Sequence, residues 1–382
     1  MSNQSVIYLD HNATTPMRPE VIEEVVQVSR EAFGNPGSRH GAGRTARRVL
    51  ESCRERIAEI LGARPGEVIF TSGGTESINL ALRGLCTAVD GWIAAPEGEH
   101  PATEEAIRTI TGRGLKRLIV PLDQHGHLQS DAVDRLPWEA VRLVSLLLAH
   151  NETGVVQKIE PLAALCRQHR VPLHLDAVQA VGKIAVNFRE LNVTALSLGA
   201  HKFYGPRGVG ALLLREGTRL QPLLVGGHQE QGRRAGTECV ALVAGMTRAL
   251  ELWHQDAASI SARLIALRDQ MWTGLRESCQ PVWLIGDADQ RLPNTLNLAF
   301  HGCDGDGLLV ALDLAGVYCS LGSTCASGTT ETAPILRAMQ VPPEWHRSCL
   351  RLSVGIDNTP ADITEAIKRI SQSVNRLRSN PR

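Results

Sequence analysis

The sequence predicts an α/β protein in which a mostly parallel sheet lies between layers of helices. Short apolar runs recur through the first half of the chain, and segments of helical length separate them. Within each run apolar residues occupy consecutive positions, which is typical of parallel strands buried on both faces. With 382 residues, 43% of them hydrophobic, the chain is long enough for two domains with a large core.

Seven runs are predicted as strands, and they cover residues 68–70, 92–94, 118–120, 143–149, 171–175, 195–198 and 210–214. Three intervening segments are predicted as helices, over residues 44–61, 77–85 and 159–169. A fourth segment, from Trp253 to Leu275, contains no proline and no glycine before Gly274. We expect it to form the helix that connects the two domains.

The predicted domains are a large cofactor-binding domain over residues 13–255 and a small α/β domain over residues 1–12 and 256–382. The chain contains no internal repeat and no linker rich in proline, glycine or serine. We therefore expect the two domains to pack against each other.

Charge and composition exclude several classes of function. Forty Lys and Arg residues balance forty Asp and Glu residues, so binding to nucleic acid or to an anionic membrane is not expected. The start of the chain lacks a signal-peptide pattern, and no apolar stretch reaches membrane-spanning length, which predicts a cytoplasmic protein. The nine cysteines form no C-x-x-C pair and the histidines no H-x-x-x-H pair, so we expect neither disulfides nor a metal site.

Polar side chains follow three neighbouring strands of the predicted sheet. They are Asn151 after the fourth run, Asp176 and Gln179 after the fifth, and His201 and Lys202 after the sixth. In parallel sheets, ligands bind outside the carboxyl ends of the strands, so these side chains are predicted to share one site.

A glycine-rich turn follows the first run and opens a helix. Gly73, Gly74 and Thr75 offer backbone N–H groups at that helix N-terminus, an arrangement that binds anions such as phosphate. No lysine follows the second glycine, and the glycine spacing differs from the dinucleotide fingerprint. Each of these features alone is more often an ordinary loop or cap. Together, a phosphate cradle, a carboxylate and a lysine predict a site for pyridoxal phosphate.

Six segments of the sequence resemble the cysteine desulfurases of the NifS/IscS branch, which are fold-type I pyridoxal-phosphate enzymes. These segments cover residues 8–16, 34–40, 71–77, 200–206, 232–237 and 322–328. The last one, with the sequence GSTCASG, is the most specific, because it is similar to the cysteine-bearing loop of that branch. The resemblance extends over nearly the whole chain and implies a fold-type I architecture.

The resemblance implies a role for each residue of the cofactor site. Asp176 would pair with the pyridine nitrogen, and Asn151 and Gln179 would reach the ring hydroxyl. The phosphate would be bound by Gly74, Thr75 and His201, together with Thr237 from the partner subunit of a homodimer. The family usually has a serine at position 199, where this chain has Gly199, so one phosphate contact is expected to be missing.

The resemblance also implies the catalytic residues. Lys202 would bind the cofactor covalently and move the Cα proton of the substrate. His100 would stack on the ring, assist proton transfer and serve as the candidate base for a thiol. Arg351, with Asn151 nearby, would bind the substrate carboxylate, and Cys325 would accept the sulfur as a persulfide.

The implied activity is conversion of L-cysteine to L-alanine, with delivery of sulfur to an acceptor or to an iron–sulfur scaffold protein. Two alternatives would use the same lysine and aspartate: a selenocysteine lyase and a related aminotransferase. Neither requires Cys325, which therefore discriminates between them and a desulfurase. A third alternative, a cofactor-binding subunit without activity, is disfavoured because Lys202, His100, Asp176 and Cys325 are all present.

Overall fold

The computed structural model describes residues 5–112, 114–322 and 333–379. The strands are β1 (Ile7–Tyr8), β2 (Val68–Thr71), β3 (Trp92–Ala95), β4 (Lys116–Ile119), β5 (Val141–Leu147), β6 (Leu173–Asp176), β7 (Ala195–Gly199), β8 (Gly210–Leu214), β9 (Val282–Leu284), β10 (Thr295–Phe300), β11 (Val317–Tyr318), β12 (Ser320–Leu321) and β13 (Cys349–Ser353). The helices are α1 (Pro19–Glu31), α2 (Gly41–Ile60), α3 (Gly74–Leu85), α4 (Pro101–Thr111), α5 (Ser130–Asp134), α6 (Glu160–Gln168), α7 (Phe188–Leu191), α8 (Val240–Ser278), α9 (Gly305–Leu314), α10 (Pro334–Ala338), α11 (Pro343–His346) and α12 (Pro360–Ser379).

The larger sheet has seven strands in the order β2-β8-β7-β6-β5-β3-β4. All pairs are parallel except those of β8, which runs antiparallel to both β2 and β7. Because β8 opposes both neighbours, β2 and β7 point the same way. The carboxyl ends of β2, β5, β6 and β7 therefore meet at one edge of the sheet.

Helices cover both faces of this sheet. Leu196 and Leu213 belong to a core cluster that includes residues of α1, α2 and the first half of α8. The neighbouring residues Ala195 and Leu212 face a second cluster built with α3 and α4. Alternate residues of β7 and β8 are thus buried on opposite faces, which confirms the predicted fold class.

The smaller sheet is antiparallel, in the order β12-β13-β10-β9. Its core joins the second half of α8 with α9 and α12. The N-terminal segment belongs to this part of the molecule, because β1 pairs with β11 and Asp10 forms an isolated bridge with Ser353. The segment that follows Asp10 runs on to the edge of the larger sheet, where the amide of Thr15 donates to the carbonyl of His201.

Helix α8 begins at Val240, well before the predicted start at Trp253, and it contains Gly245 and Gly274, although glycine disfavours a helix. A Cβ on Gly245 would lie 2.5 Å from Val25, and one on Gly274 would lie 2.6 Å from Ile367, so close helix packing requires both glycines. The backbone kinks at Asp256, next to the domain boundary expected at residues 255 and 256, which stays a prediction. In the described part of the chain, neither α8 nor any other helix is long and apolar enough to cross a membrane.

Candidate active site

A cavity of about 490 Å³ opens at the carboxyl edge of the larger sheet. The predicted phosphate-binding residues Gly74, Thr75 and His201 line it, as do Asn151, Asp176 and Gln179. His100, Lys202 and Arg351 complete the set. Thr237 is exposed and lines no part of this cavity, so its contribution through a partner subunit stays a prediction. Cys325 lies outside the described residues.

The phosphate cradle is formed where β2 ends and α3 begins. Gly73 has a φ of 151° and places the first N–H groups of α3 at the cavity, where the helix itself leaves them unpaired. A Cβ on Gly74 would lie 2.7 Å from Val178, so only glycine fits there. Glu76 holds the turn by accepting from the amide of Ser72 at 2.7 Å and from Arg234 at 2.8 Å.

Position 199 adjoins this cradle. A Cβ on Gly199 would lie 3.2 Å from the amide nitrogen of Gly74. A serine here would therefore cover the amide and offer it a hydroxyl. With glycine, the Gly74 amide stays open toward the cavity.

Asp176 ends β6 and is almost completely buried. Its Oδ1 accepts a hydrogen bond from the amide of Val178 at 3.0 Å. Burial raises the pKa of this carboxyl to about 6, although the Val178 amide and the Lys202 amine act in the opposite direction. A buried carboxylate that faces a cavity is stabilised by a cation in front of it, and a protonated pyridine nitrogen is such a group.

Lys202 ends the short 3₁₀ turn Ala200–Lys202, which follows β7. Its Nζ donates to the carbonyls of Asn12 and Ala13 at 2.7 and 2.8 Å. Burial, and next the positive charge of Arg351, lower the pKa of this amine to about 8, while Asp176 opposes them. The amine is therefore partly neutral near neutral pH, and a neutral amine is the form that attacks an aldehyde.

Arg351 reaches the cavity from β13 in the smaller sheet. Its Nη2 donates to Asp10 at 2.8 Å, and its Nη1 donates to the carbonyl of Asn151 at 3.2 Å. Among the described residues, the buried Nε of Arg351 and Oδ1 of Asn151 have no hydrogen-bond partner. Both residues line the cavity, and buried polar atoms without a partner beside a cavity are typical of a site that a ligand completes.

His100 precedes α4, and its Nδ1 accepts a hydrogen bond from the amide of Ala102 at 3.1 Å. Burial lowers the pKa of the ring to about 4, with a further contribution from Lys202. The ring is therefore neutral, and its proton resides on Nε2. In this arrangement the Nε2–H of His100 can donate a hydrogen bond and the Nδ1 lone pair is occupied by the Ala102 amide. The expected role of His100 as base for a thiol stays a prediction.

Two buried residues of the site, Asn12 and Lys183, were absent from the predictions. Asn12 lines the cavity, and its carbonyl receives the Lys202 amine. Lys183 follows Gln179 by four residues and donates to both Gln179 and Asn12. Asn12 lies within a segment that carried the family resemblance, which was a usable signal. For Lys183, the only indication of burial in the sequence was the presence of apolar residues before and after it.

The fold and the cavity define a class of protein: α/β proteins that hold pyridoxal phosphate between a lysine, a buried carboxylate and a helix N-terminus. The residues present fit this cofactor, because Gly74, Asp176 and Lys202 line one cavity together with Asn151 and Arg351, each of which has a buried polar atom without a partner among the described residues. The family model described as aminotransferase class-V matches residues 7–365. The chain belongs to this family, and pyridoxal phosphate is its cofactor.

Similar proteins cover almost the whole chain. The cysteine desulfurase IscS of Dictyoglomus turgidum is 39% identical over 376 residues, which are 98% of this chain and 95% of that protein. A solved structure titled NIFS-LIKE PROTEIN is 33% identical with a TM-score of 0.91, covering 97% of this chain and 100% of the other. The structure of SspA in complex with cysteine is 27% identical with a TM-score of 0.80, covering 91% and 98% of the two chains.

Proposed function

We propose that this protein is a cysteine desulfurase, which converts L-cysteine to L-alanine and transfers the sulfur to Cys325. The observation that carries the proposal is the convergence of Lys202, Asp176 and Arg351 on one cavity. The names of the similar proteins support it, since they include cysteine desulfurase and a complex with cysteine.

The chain binds both the cofactor and the substrate through groups of opposite charge. The backbone N–H groups of Gly74 and Thr75 bind the phosphate, and the Asp176 carboxylate binds the ring nitrogen. The Nε and one further N–H of Arg351 bind the substrate carboxylate, for which a guanidinium offers a planar pair of donors. Asn151 and Gln179 hold the ring hydroxyl.

Proton transfer is assigned to Lys202, and hydrogen bonding in the cavity to His100. Pyridoxal phosphate, when bound, supplies an electron sink that makes the substrate Cα proton acidic. The Nζ of Lys202 takes this proton, because its lowered pKa leaves a neutral amine available near neutral pH. His100 lines the same cavity, and the Nε2–H of its neutral ring is available as a hydrogen-bond donor.

The sulfur transfer is balanced without an external oxidant or reductant. The Cys325 thiolate forms a bond to the substrate sulfur while the bond between that sulfur and the substrate Cβ breaks. The electron pair of the broken bond remains on Cβ, which takes up a proton and becomes the methyl group of alanine. The second sulfur stays on Cys325 as a persulfide.

Three other cysteines, one of them beside a residue of the cavity, are poor nucleophiles. Burial raises the pKa of Cys166, Cys319 and Cys349 to about 12, so these thiols stay protonated at neutral pH. Cys319 precedes Ser320, which lines the cavity, and would otherwise be the natural alternative to Cys325. The proposal therefore assigns the sulfur to Cys325.

The cellular setting belongs to the same proposal. We infer that the protein acts as a cytoplasmic homodimer in which the exposed Thr237 of each subunit contacts the phosphate held by the other. A sulfur-acceptor protein, such as a scaffold for iron–sulfur cluster assembly, would receive the persulfide sulfur. The zero net charge offers no attraction to nucleic acid or to anionic membranes.

Incubation of the purified protein with pyridoxal phosphate and L-cysteine tests the proposal. We expect equal amounts of alanine and of transferred sulfur, the latter released as sulfide when a thiol reductant is added. The variant Lys202→Ala should lose both the visible absorbance of the bound cofactor and the alanine. Alanine formation by Lys202→Ala at the rate of the unchanged protein, or no alanine from the unchanged protein, would contradict the proposal.

A further inference from the structure

We propose that Lys183 is a positioning residue of the cofactor pocket, whose amine fixes the orientation of the Gln179 amide and thereby the affinity for pyridoxal phosphate. This inference rests on the proposed function, in which Gln179 binds the ring hydroxyl. Lys183 itself lies behind the cavity wall and does not line the cavity.

Lys183 is buried between two amide side chains. Only 5% of the residue is exposed, although lysine is among the residues least often buried. Its Nζ donates to Oδ1 of Asn12 at 2.8 Å and to Oε1 of Gln179. Both acceptors are uncharged, and both belong to residues that line the cavity.

These contacts determine which end of the Gln179 amide faces which partner. Its Oε1 points to Lys183, while its Nε2 donates to the carbonyl of Asn12 at 2.9 Å. One N–H of Nε2 is then left for the cavity, where a ring hydroxyl can accept it. The same Asn12 carbonyl also accepts a hydrogen bond from Lys202 Nζ at 2.7 Å. Gln179 therefore shares an acceptor with the residue that binds the cofactor.

Lys183 acts through its hydrogen bonds and not as a counter-ion. Within the part of the chain that the structure describes, no carboxylate forms an ion pair with it. The charged or titratable groups around it are Lys202, Arg351, His11 and His201. Burial first, and then Lys202 and Arg351, hold its pKa well below the ordinary value. Two N–H groups of the amine are accepted by the two amide oxygens.

Gln179 depends on Lys183 more than Asn12 does. Asn294 also donates to Oδ1 of Asn12, at 3.1 Å, and the Asn12 Nδ2 donates to Thr295 at 2.9 Å. Without Lys183, these two contacts still hold Asn12. The Gln179 amide would lose the only donor described for its oxygen, and a rotated amide would turn that oxygen toward the ring hydroxyl.

Equilibrium dialysis of the cofactor-free protein against pyridoxal phosphate tests the inference. Lys183→Met keeps the length of the side chain and removes both donors, and we expect it to raise the Kd about tenfold. The exposed Lys158 provides the matched control, since Lys158→Met makes the same chemical change at the surface and should leave the Kd unchanged. Melting temperatures show whether each variant is folded. If Lys183→Met does not fold, Lys183→Gln keeps an N–H donor group on a shorter side chain and should raise the Kd about threefold.

A double-mutant cycle separates positioning from a general structural role. In the Gln179→Leu background no amide remains to be oriented, so Lys183→Met should add less than about a twofold change in Kd. An equal tenfold loss in both backgrounds would contradict the inference, as would a Lys183→Met variant with the Kd of the Lys158→Met control. Those results would leave the desulfurase proposal intact, whereas an unchanged protein that binds no pyridoxal phosphate would contradict both.

Discussion

The lowered pKa of Lys202 predicts how fast the cofactor-free protein takes up pyridoxal phosphate at each pH. Only the neutral amine reacts with the aldehyde. With a pKa of about 8 in place of the ordinary 10.5, about one Lys202 amine in eleven is neutral at pH 7, against about one in three thousand at the ordinary value. The environment of Lys202 therefore raises the reactive fraction about 300-fold.

The assay follows the visible absorbance after the cofactor-free protein is mixed with pyridoxal phosphate. Because a lowered pKa makes the amine neutral at lower pH, the rate should rise about tenfold per pH unit below 8 and level off above it. Arg351→Gln removes the second cause of the shift, so the midpoint should move to higher pH and the rate at pH 7 should fall. A midpoint near 10.5, or one that is the same in both proteins, would refute this reasoning.

Two further predictions concern the loop cysteine and a buried ion pair. Cys325→Ser should keep the cofactor and the spectral change on addition of cysteine, because both depend on Lys202 and Arg351. The same variant should no longer form alanine from cysteine. If it still turned over selenocysteine, that result would favour a lyase. Arg54 bonds Glu230 at 2.8 Å with both side chains buried, so Arg54→Met should lower the free energy of unfolding in urea by about 3–5 kcal/mol. The exposed Arg56 is the control, and Arg56→Met should change it by less than about 1 kcal/mol; equal effects of the two variants would contradict this assignment.

The larger sheet could be predicted because its strands are continuous apolar runs bounded by glycine and polar residues. Each of the seven predicted runs overlaps a strand in the structure. The smaller sheet gave no comparable signal at its edge, where the strand Ser320–Leu321 has two residues and exists only through pairing with the distant β13. The start of α8 was missed because Gly245 disfavours a helix locally, and only its packing against Val25 explains the glycine.

The part of the site that lies at the carboxyl ends of neighbouring parallel strands could be predicted from the sequence. Asp176 ends β6, and Lys202 follows the end of the neighbouring strand β7, so the topology of the sheet brings the two residues together. Asn12 comes from the N-terminal segment, whose position depends on tertiary contacts that no local pattern encodes. Lysine is usually found at the surface, so the sequence does not indicate that Lys183 belongs to the site; only its burial in the structure shows this. The donor role of His100 depends on one hydrogen bond to the Ala102 amide, which a sequence cannot show.

Peptide mass spectrometry after a single turnover tests the central claim most directly. The protein, loaded with pyridoxal phosphate, is mixed with one equivalent of L-cysteine, alkylated to trap persulfides and digested with chymotrypsin. Chymotrypsin cleaves after leucine and aromatic residues, so its site at Leu321 separates Cys319 from Cys325. We predict that the peptide containing Cys325 gains the mass of one sulfur atom in step with alanine formation, while the peptides containing Cys319 and Cys349 do not. Alanine formation without added sulfur on Cys325, or with the sulfur on another cysteine, would contradict the proposed desulfurase mechanism.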